Sequence, residues 1–356
     1  FQMAQNNVYL KHQDKENEKK IDTLLKCLPS YCRTFTDALE TQHTSSRTRL
    51  AYCQDLTMFF KFLCENNPSL PDDPLKISPL DLEMLKSVDI EEYLIYIKYG
   101  WYNPENKGIK YEVNDIAALQ RRLASLKSFF NYCYTHEIIS NNPTAIISLP
   151  KLKPKDIIYL EPDEIAKLVD AVESGEGLTA REQKFHELVK CRDLAIIILL
   201  LGTGIRVSEC VALDINDIDL KNTSMLVHRK EQKVMTLFYS DEVAEYLKAY
   251  MDMRKDIAAR EGSETALFLS LQNSRMSVRS IERRVKKYSE QATFLKHISP
   301  HKLRASFATD FYRETNDIYA LSNILGHNSV DVVKKYANIG SETRRRYRNS
   351  VRIRKE

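Results

Sequence analysis

From residue 44 the chain reads "TSSRTRLAYCQDLTMFFKFLC", in which Leu50, Cys53, Leu56, Phe59, Phe60 and Leu63 recur three and four residues apart. That spacing gathers them on one face of a helix, and such a face has to be covered by another. Thr44 to Ser46 supply the N-cap. A matching face lies in "VNDIAALQRRLASLKSFFNYCYTHEI", where Ile116, Leu119, Leu123, Leu126, Phe129 and Phe130 form the stripe. The helical pattern runs from 21 to 148, with "SNNP" (140–143) stopping the second helix. Residues 21–148 are therefore expected to fold as a helical N-terminal domain.

"SLPKLKPKDIIYL" combines two prolines and three lysines without a regular period, which places an interdomain linker at 149–158. "EPDEIAKLVDAVE" then opens a helix on an acidic first turn, the start of a second domain spanning 159–340. Within it, "NTSMLVHRKEQKVMTLFYS" (222–240) is the only convincing β segment, two alternating runs about a charged tip. The fold class is mainly α with a small β-hairpin or sheet. Phe1-Gln2 ahead of Met3 reads as a tag scar, and 1–20 as a flexible N-terminus.

With 43% hydrophobic and 29% charged residues, a chain of this length fits two soluble domains. No apolar run approaches the roughly 20 residues needed to span a bilayer, and no export signal is visible, so a cytoplasmic location is expected without membrane partners. Seven cysteines without a CxxC pair point to free thiols. The last sixteen residues carry seven basic and two acidic side chains, so the basic excess of the chain is concentrated at 341–356. Such a run is a solvated tail or a contact for nucleic acid or an acidic partner.

Three segments hold residues suited to chemistry on a phosphate. In "LGTGIRVSECVAL" (201–213) glycines interrupt an apolar helix ahead of Arg206. The guanidinium then stands at a helix start, where it clamps an anion or pairs with Glu209. In "ISPHKLRASFATDFY" (298–312) Ser299 caps and Pro300 fills the first turn, so His301 and Arg304 share a face. Two such groups side by side fit a shared anion, the alternative being a solvated helix start. "LGHNSVDVVKKYANI" (325–339) carries His327 and Tyr336. In one straight helix their separation turns through roughly 900° and sets them on opposite faces. A break at Gly326 with a fresh N-cap at Asn328-Ser329 would let both serve one site; otherwise Tyr336 is an ordinary core tyrosine. Lys230 and Lys233 lie on the hairpin. No carboxylate cluster with metal-ligand spacing accompanies them, so neither metal nor cofactor is expected. Two arginine forks, histidines, a lysine and a phenol suit phosphoryl transfer with tyrosine as nucleophile.

The order Arg206, Lys230, His301-x-x-Arg304, His327, Tyr336 resembles the catalytic set of the tyrosine recombinases, the phage-integrase and Xer family. "TGIRVSE", "SPHKLRASFAT" and "LGHNSVDVVKKYA" are similar to its three boxes, in order. "SSRTRLAYCQDLTMFFKFL" and "LQRRLASLKSFFNY" are similar to its core-binding domain, so the resemblance covers nearly the whole chain. It implies a two-domain clamp, a helical core-binding domain and a mixed α/β catalytic domain around double-stranded DNA. It implies that Tyr336 attacks the scissile phosphate, that Arg206 and Arg304 hold its non-bridging oxygens, and that His301 is the general base. His327 would hydrogen-bond the phosphate, Glu209 would orient Arg206, and the hairpin lysine would protonate the 5′-oxygen. Here "HRKEQK" replaces the usual Gly-Lys-Gly tip; ungapped counting favours Lys230, with Arg229 and Lys233 close by. "LRAS" leaves Ala305 where a second histidine often stands.

The resemblance also assigns DNA contacts to Arg47, Arg49, Arg121, Arg122 and Lys127, and on "MSVRSIERRVKKY" to Arg279, Arg283 and Arg284. It implies a homo-oligomer, a dimer per recombination site and a tetramer on two, with 341–356 docking onto a neighbouring subunit. The implied function is site-specific recombination through a 3′-phosphotyrosyl intermediate and a Holliday junction, independent of metal and ATP. A mobile genetic element is the expected setting, with a Xer-like chromosome or plasmid dimer resolvase as the alternative. Outside that class stand a type IB topoisomerase and a catalytically lapsed DNA-binding regulator.

Overall fold

A computed structural model describes residues 7–99, 116–148, 156–229, 233–293, 296–326 and 329–337. The chain divides into two compact units, Val8–Pro154 and Lys155–Glu356 together with Phe1–Asn7.

The first unit contains α1 (Val8–Leu25), α2 (Ser30–Thr41), α3 (Ser46–Asn66), α4 (Pro79–Glu83), α5 (Ser87–Tyr99) and α6 (Ile116–Thr135). Ser45 caps α3 by accepting a hydrogen bond from the Thr48 amide. Cys53, Leu56, Phe59, Phe60 and Leu63 of α3 and Leu119, Leu123, Leu126, Phe129 and Phe130 of α6 are buried against each other and against α2 and α5. Leu50 is only partly buried, and Ile116 is exposed at the start of α6. The core is aromatic: Phe129 lies 5.3–6.1 Å, centroid to centroid, from Tyr31, Phe35, Phe60 and Phe130.

The flexible start expected for 1–20 is corrected from residue 8 onward, where α1 packs along α3. Only Ile21 and Leu25 of α1 are buried apolar residues, so periodicity gives little sign of it. Polar bonds do much of the holding. Ser46 donates to Asp14 at 2.5 Å, Asn17 donates to Ser46 at 3.0 Å, and the buried Arg49 guanidinium reaches Glu18 and Glu40 at 2.5 and 3.1 Å.

The second unit runs through α7 (Pro162–Ser174), α8 (Ala180–Thr203), α9 (Val207–Ala212), β1 (Ile218–Asp219), β2 (Ser224–His228), β3 (Val234–Phe238) and α10 (Asp241–Arg254), then α11 (Val278–Ala292), α12 (Pro300–Thr315), α13 (Ile318–Leu325) and α14 (Asp331–Ala337). α8 is buried from Arg192 to Leu200 and packs against α7, α10 and α12. The expected hairpin is present as β2 and β3, antiparallel, with Met225 opposite Leu237 and Val227 opposite Met235. Met225, Val227 and Leu237 are buried while Leu226, Thr236 and Phe238 are exposed, the alternation of a one-sided sheet. β1 adds a two-residue third strand beside β2, too short to show as a sequence pattern. Among the described residues no helix is long and apolar enough to cross a membrane.

Replacing Phe129 by alanine removes the ring at the centre of the first core. The substitution is expected to destabilise that unit by about 3–5 kcal/mol, read as an earlier unfolding midpoint in denaturant.

Candidate active site

Three turns build the site. At the first, α8 ends on Gly204, whose φ of +61° is left-handed. A Cβ there would run into the Phe307 ring of α12, so glycine is required both for the turn and for the close packing. Gly202, by contrast, lies inside the last turn of α8. Arg206 follows in extended conformation, and Glu209 secures it twice. One carboxylate oxygen accepts the Arg206 backbone N–H and the other accepts its guanidinium, both at 2.8 Å. Glu209 is buried, whereas the Arg206 side chain keeps about a third of its exposure (31%). The ion pair read from the sequence thus exists, and it aims a partly open guanidinium rather than neutralising a surface charge.

The second turn starts α12. Pro300 occupies the first helical turn, and Ser299 stands at the cap position but makes no side-chain cap hydrogen bond. His301 is exposed, one turn before the buried Arg304. Arg304 donates to the Gly204 carbonyl at 2.5 Å and to the Leu325 carbonyl at 2.6 Å. Burial, and after it the like charge of Arg206, pull its pKa down to about 10; Glu209 and Tyr336 act in the opposite sense. Arg206, Glu209, Arg229 and Tyr336 therefore all lie within electrostatic reach of Arg304.

The third turn separates α13 from α14 and is the break that the sequence required. Gly326 is left-handed at φ +62°, and the Asp331 amide donates to Ser329 Oγ at 3.1 Å just before α14. Tyr336 is buried with Ala305, Ala308, Leu321, Leu325 and Val333, its ring facing the ammonium of Lys335 at 5.0 Å. The ring is thus a core element, and its environment is cationic. His327 and Lys230 lie outside the described residues, as does the tail 341–356. Lys233 is exposed at the hairpin, and its carbonyl accepts the Arg229 amide at 2.7 Å. Arg229, which stands beside Lys230 on the hairpin, extends to the carbonyls of Asn323 and Ile324.

The basic residues assigned to DNA separate into two groups. Arg47, Arg279 and Arg283 are exposed and Lys127 is half-buried. Arg49 departs from expectation: it is buried and held by Glu18 and Glu40, so it braces α1 and α2 against α3. Arg121 grips the buried Asp55 with both guanidinium nitrogens, at 2.5 and 2.8 Å. Arg284 turns toward the buried Asp193, 3.8 Å away, and Arg122 is half-buried. Glu18, Asp55 and Asp193 lie far from their partners in sequence and give no local signal, so Arg49, Arg121 and Arg284 read as surface charge. Among the described residues no cluster of three His, Cys, Asp or Glu side chains forms a metal-holding group.

The chain belongs to the phage integrase family, whose profile matches residues 159–342. It is a tyrosine recombinase, a member of a class of enzymes that cleave and rejoin DNA. A relative called tyrosine recombinase XerC, from Caldanaerobacter subterraneus subsp. tengcongensis, is 33% identical over 302 residues, covering 83% of this chain and 78% of the relative. Two solved structures share the fold at 18% identity. The XerH site-specific recombinase bound to palindromic difH substrate, a post-cleavage complex, has a TM-score of 0.62 over 88% of this chain and 84% of its own. The Tn1549 transposon integrase in complex with circular intermediate DNA has a TM-score of 0.60 over 90% of this chain and 99% of its own.

Gly204→Ala forces a side chain into a left-handed residue and against Phe307. It is expected to cost about 2 kcal/mol or more in unfolding free energy, measured by denaturant titration.

Proposed function

We propose that the protein is a site-specific recombinase in which Tyr336 is the nucleophile and Arg206 and Arg304 bind the phosphate. The observation that carries this reading is the pair of bonds from Arg304 to the Gly204 and Leu325 carbonyls. They tie the turn before Arg206 to the helix end that leads toward Tyr336. The phenol oxygen of Tyr336 attacks the scissile phosphorus, forming the 3′-phosphotyrosyl bond as the P–O5′ bond breaks. His301 takes the phenol proton and the hairpin lysine, Lys230, supplies one to the departing 5′-oxygen. An unperturbed phenol has a pKa of about 10, so attack depends on the base and on the neighbouring guanidiniums. Arg206 and Arg304 meet the charge that grows on the non-bridging oxygens, and His327 adds a hydrogen bond there. Rejoining reverses these steps with the 5′-hydroxyl of the exchanged strand. The bond energy stays in the phosphotyrosine, so this chemistry calls for neither ATP nor metal.

In this reading a dimer binds each recombination site, a tetramer joins two through a Holliday junction, and the enzyme works in the cytoplasm. Arg47, Lys127, Arg279 and Arg283 face the DNA backbone. The altered hairpin tip "HRKEQK" supports service to a mobile element. The XerC relative supports a second reading, chromosome or plasmid dimer resolution. Sequencing DNA covalently captured by the protein in cells separates them: the ends of a mobile segment support the first, a single chromosomal or plasmid locus the second.

With a nicked DNA carrying the recombination site, the wild type is expected to form a covalent adduct in EDTA. Tyr336→Phe should form none, and Arg206→Ala should form it about 10²–10³-fold more slowly. An adduct that survives Tyr336→Phe would overturn the assignment. Separately, Arg283→Ala should weaken DNA binding and reduce the slope of log affinity against log salt by about one, whatever the DNA sequence.

A further inference from the structure

The last carbonyls of a helix lack intrahelical partners and carry the negative end of its dipole. At the end of α13 two arginines from other elements meet these carbonyls. Arg304 takes that of Leu325, while Arg229 takes Ile324 at 2.5 Å and approaches Asn323 at 3.4 Å. The Arg229 guanidinium also lies against Gly326, where a Cβ would collide with it. Glycine at 326 thus meets two demands, a left-handed φ and room for a neighbouring side chain. Arg229 stands at the end of β2, its own amide bonded across the hairpin to Lys233. Its guanidinium is half-buried, and burial first, then Arg206, lowers its pKa while Glu209 opposes them. It therefore belongs to the same charged cluster as Arg206 and Arg304, yet its hydrogen bonds go to backbone.

We infer that Arg229 is a positioning residue. It fastens the hairpin to the C-terminus of α13 and sets the Gly326 turn from which α14 and Tyr336 follow. A direct phosphate ligand would direct its fork into the site; Arg229 directs its fork into the helix end. This role rests on the function proposed above for its chemical consequence, but its structural part stands without it.

Two measurements test it. In the free protein, amide hydrogen exchange over 323–337 is expected to quicken in Arg229→Ala while α8 and α10 keep their protection. Unchanged exchange over 323–337 would overturn the inference whatever the DNA assays show. In single-turnover adduct formation, Arg229→Ala is expected to be about 10- to 100-fold slower, as for a reactive group displaced by about an ångström. Single-site DNA affinity should stay within about threefold, and Arg229→Lys, whose single ammonium nitrogen lacks the planar fork, should recover only part of the rate. Gly326→Ala, which displaces the same guanidinium and strains the left-handed turn, should be slow as well. A rate equal to wild type in Arg229→Ala would count against it. A wild type without adduct, or an adduct kept by Tyr336→Phe, would sink the functional proposal instead and leave the exchange result to decide on Arg229.

Discussion

The catalytic unit turns on one buried cation. Arg304 sits inside α12 with its fork closed on two carbonyls that no helix can satisfy, those of Gly204 and Leu325. A charge placed there without partners would be prohibitive, whereas two charge-assisted hydrogen bonds make it tolerable. The geometry that satisfies Arg304 is the same geometry that brings two turns, 121 residues apart in sequence, to one place. Loss of either turn would take a charge-assisted bond from a buried guanidinium, so the site and the local fold are secured together.

Charge within the site is deliberately unbalanced. Arg206, Arg229 and Arg304 repel one another, and the buried carboxylate that answers them is Glu209. The folded protein carries this repulsion because the helices are held apolar to apolar elsewhere, through α8 and through the cluster around Leu321, Leu325 and Val333. In the proposed reaction an incoming phosphodiester relieves it. The excess positive charge is thus a standing preference for an anion, set before any substrate arrives.

Much of this was legible in the sequence. The stripes of α3 and α6, the hairpin and the break at Gly326 follow from spacing and from residues with strong backbone preferences. The family is legible in the order of Arg206, His301, Arg304 and Tyr336, which resembles the catalytic set of the tyrosine recombinases. What stayed hidden was polar and long-range. α1 is joined to α3 largely through Asp14, Asn17 and Glu18, which look like solvated surface in a linear reading. Arg49, Arg121 and Arg284 likewise read as solvated cations until their partners Glu18, Asp55 and Asp193 are placed in space. Arg229 was overlooked for the same reason, since its partners are backbone carbonyls about 95 residues away in the chain.

α14 is seven residues long, well below the length at which a helix persists by itself in water. Its buried side chains with defined placement are Val333 and Tyr336. The aromatic ring of the proposed nucleophile is therefore also one of the two pegs that keep its own helix seated. Under that proposal reactivity and anchorage reside in one side chain and cannot be separated by truncation: shortening the residue removes both. Only the loss of the hydroxyl alone, with the ring retained, divides the chemical role of this residue from its mechanical one. Under that proposal one position answers to two demands, those of the reaction and those of the helix that delivers it.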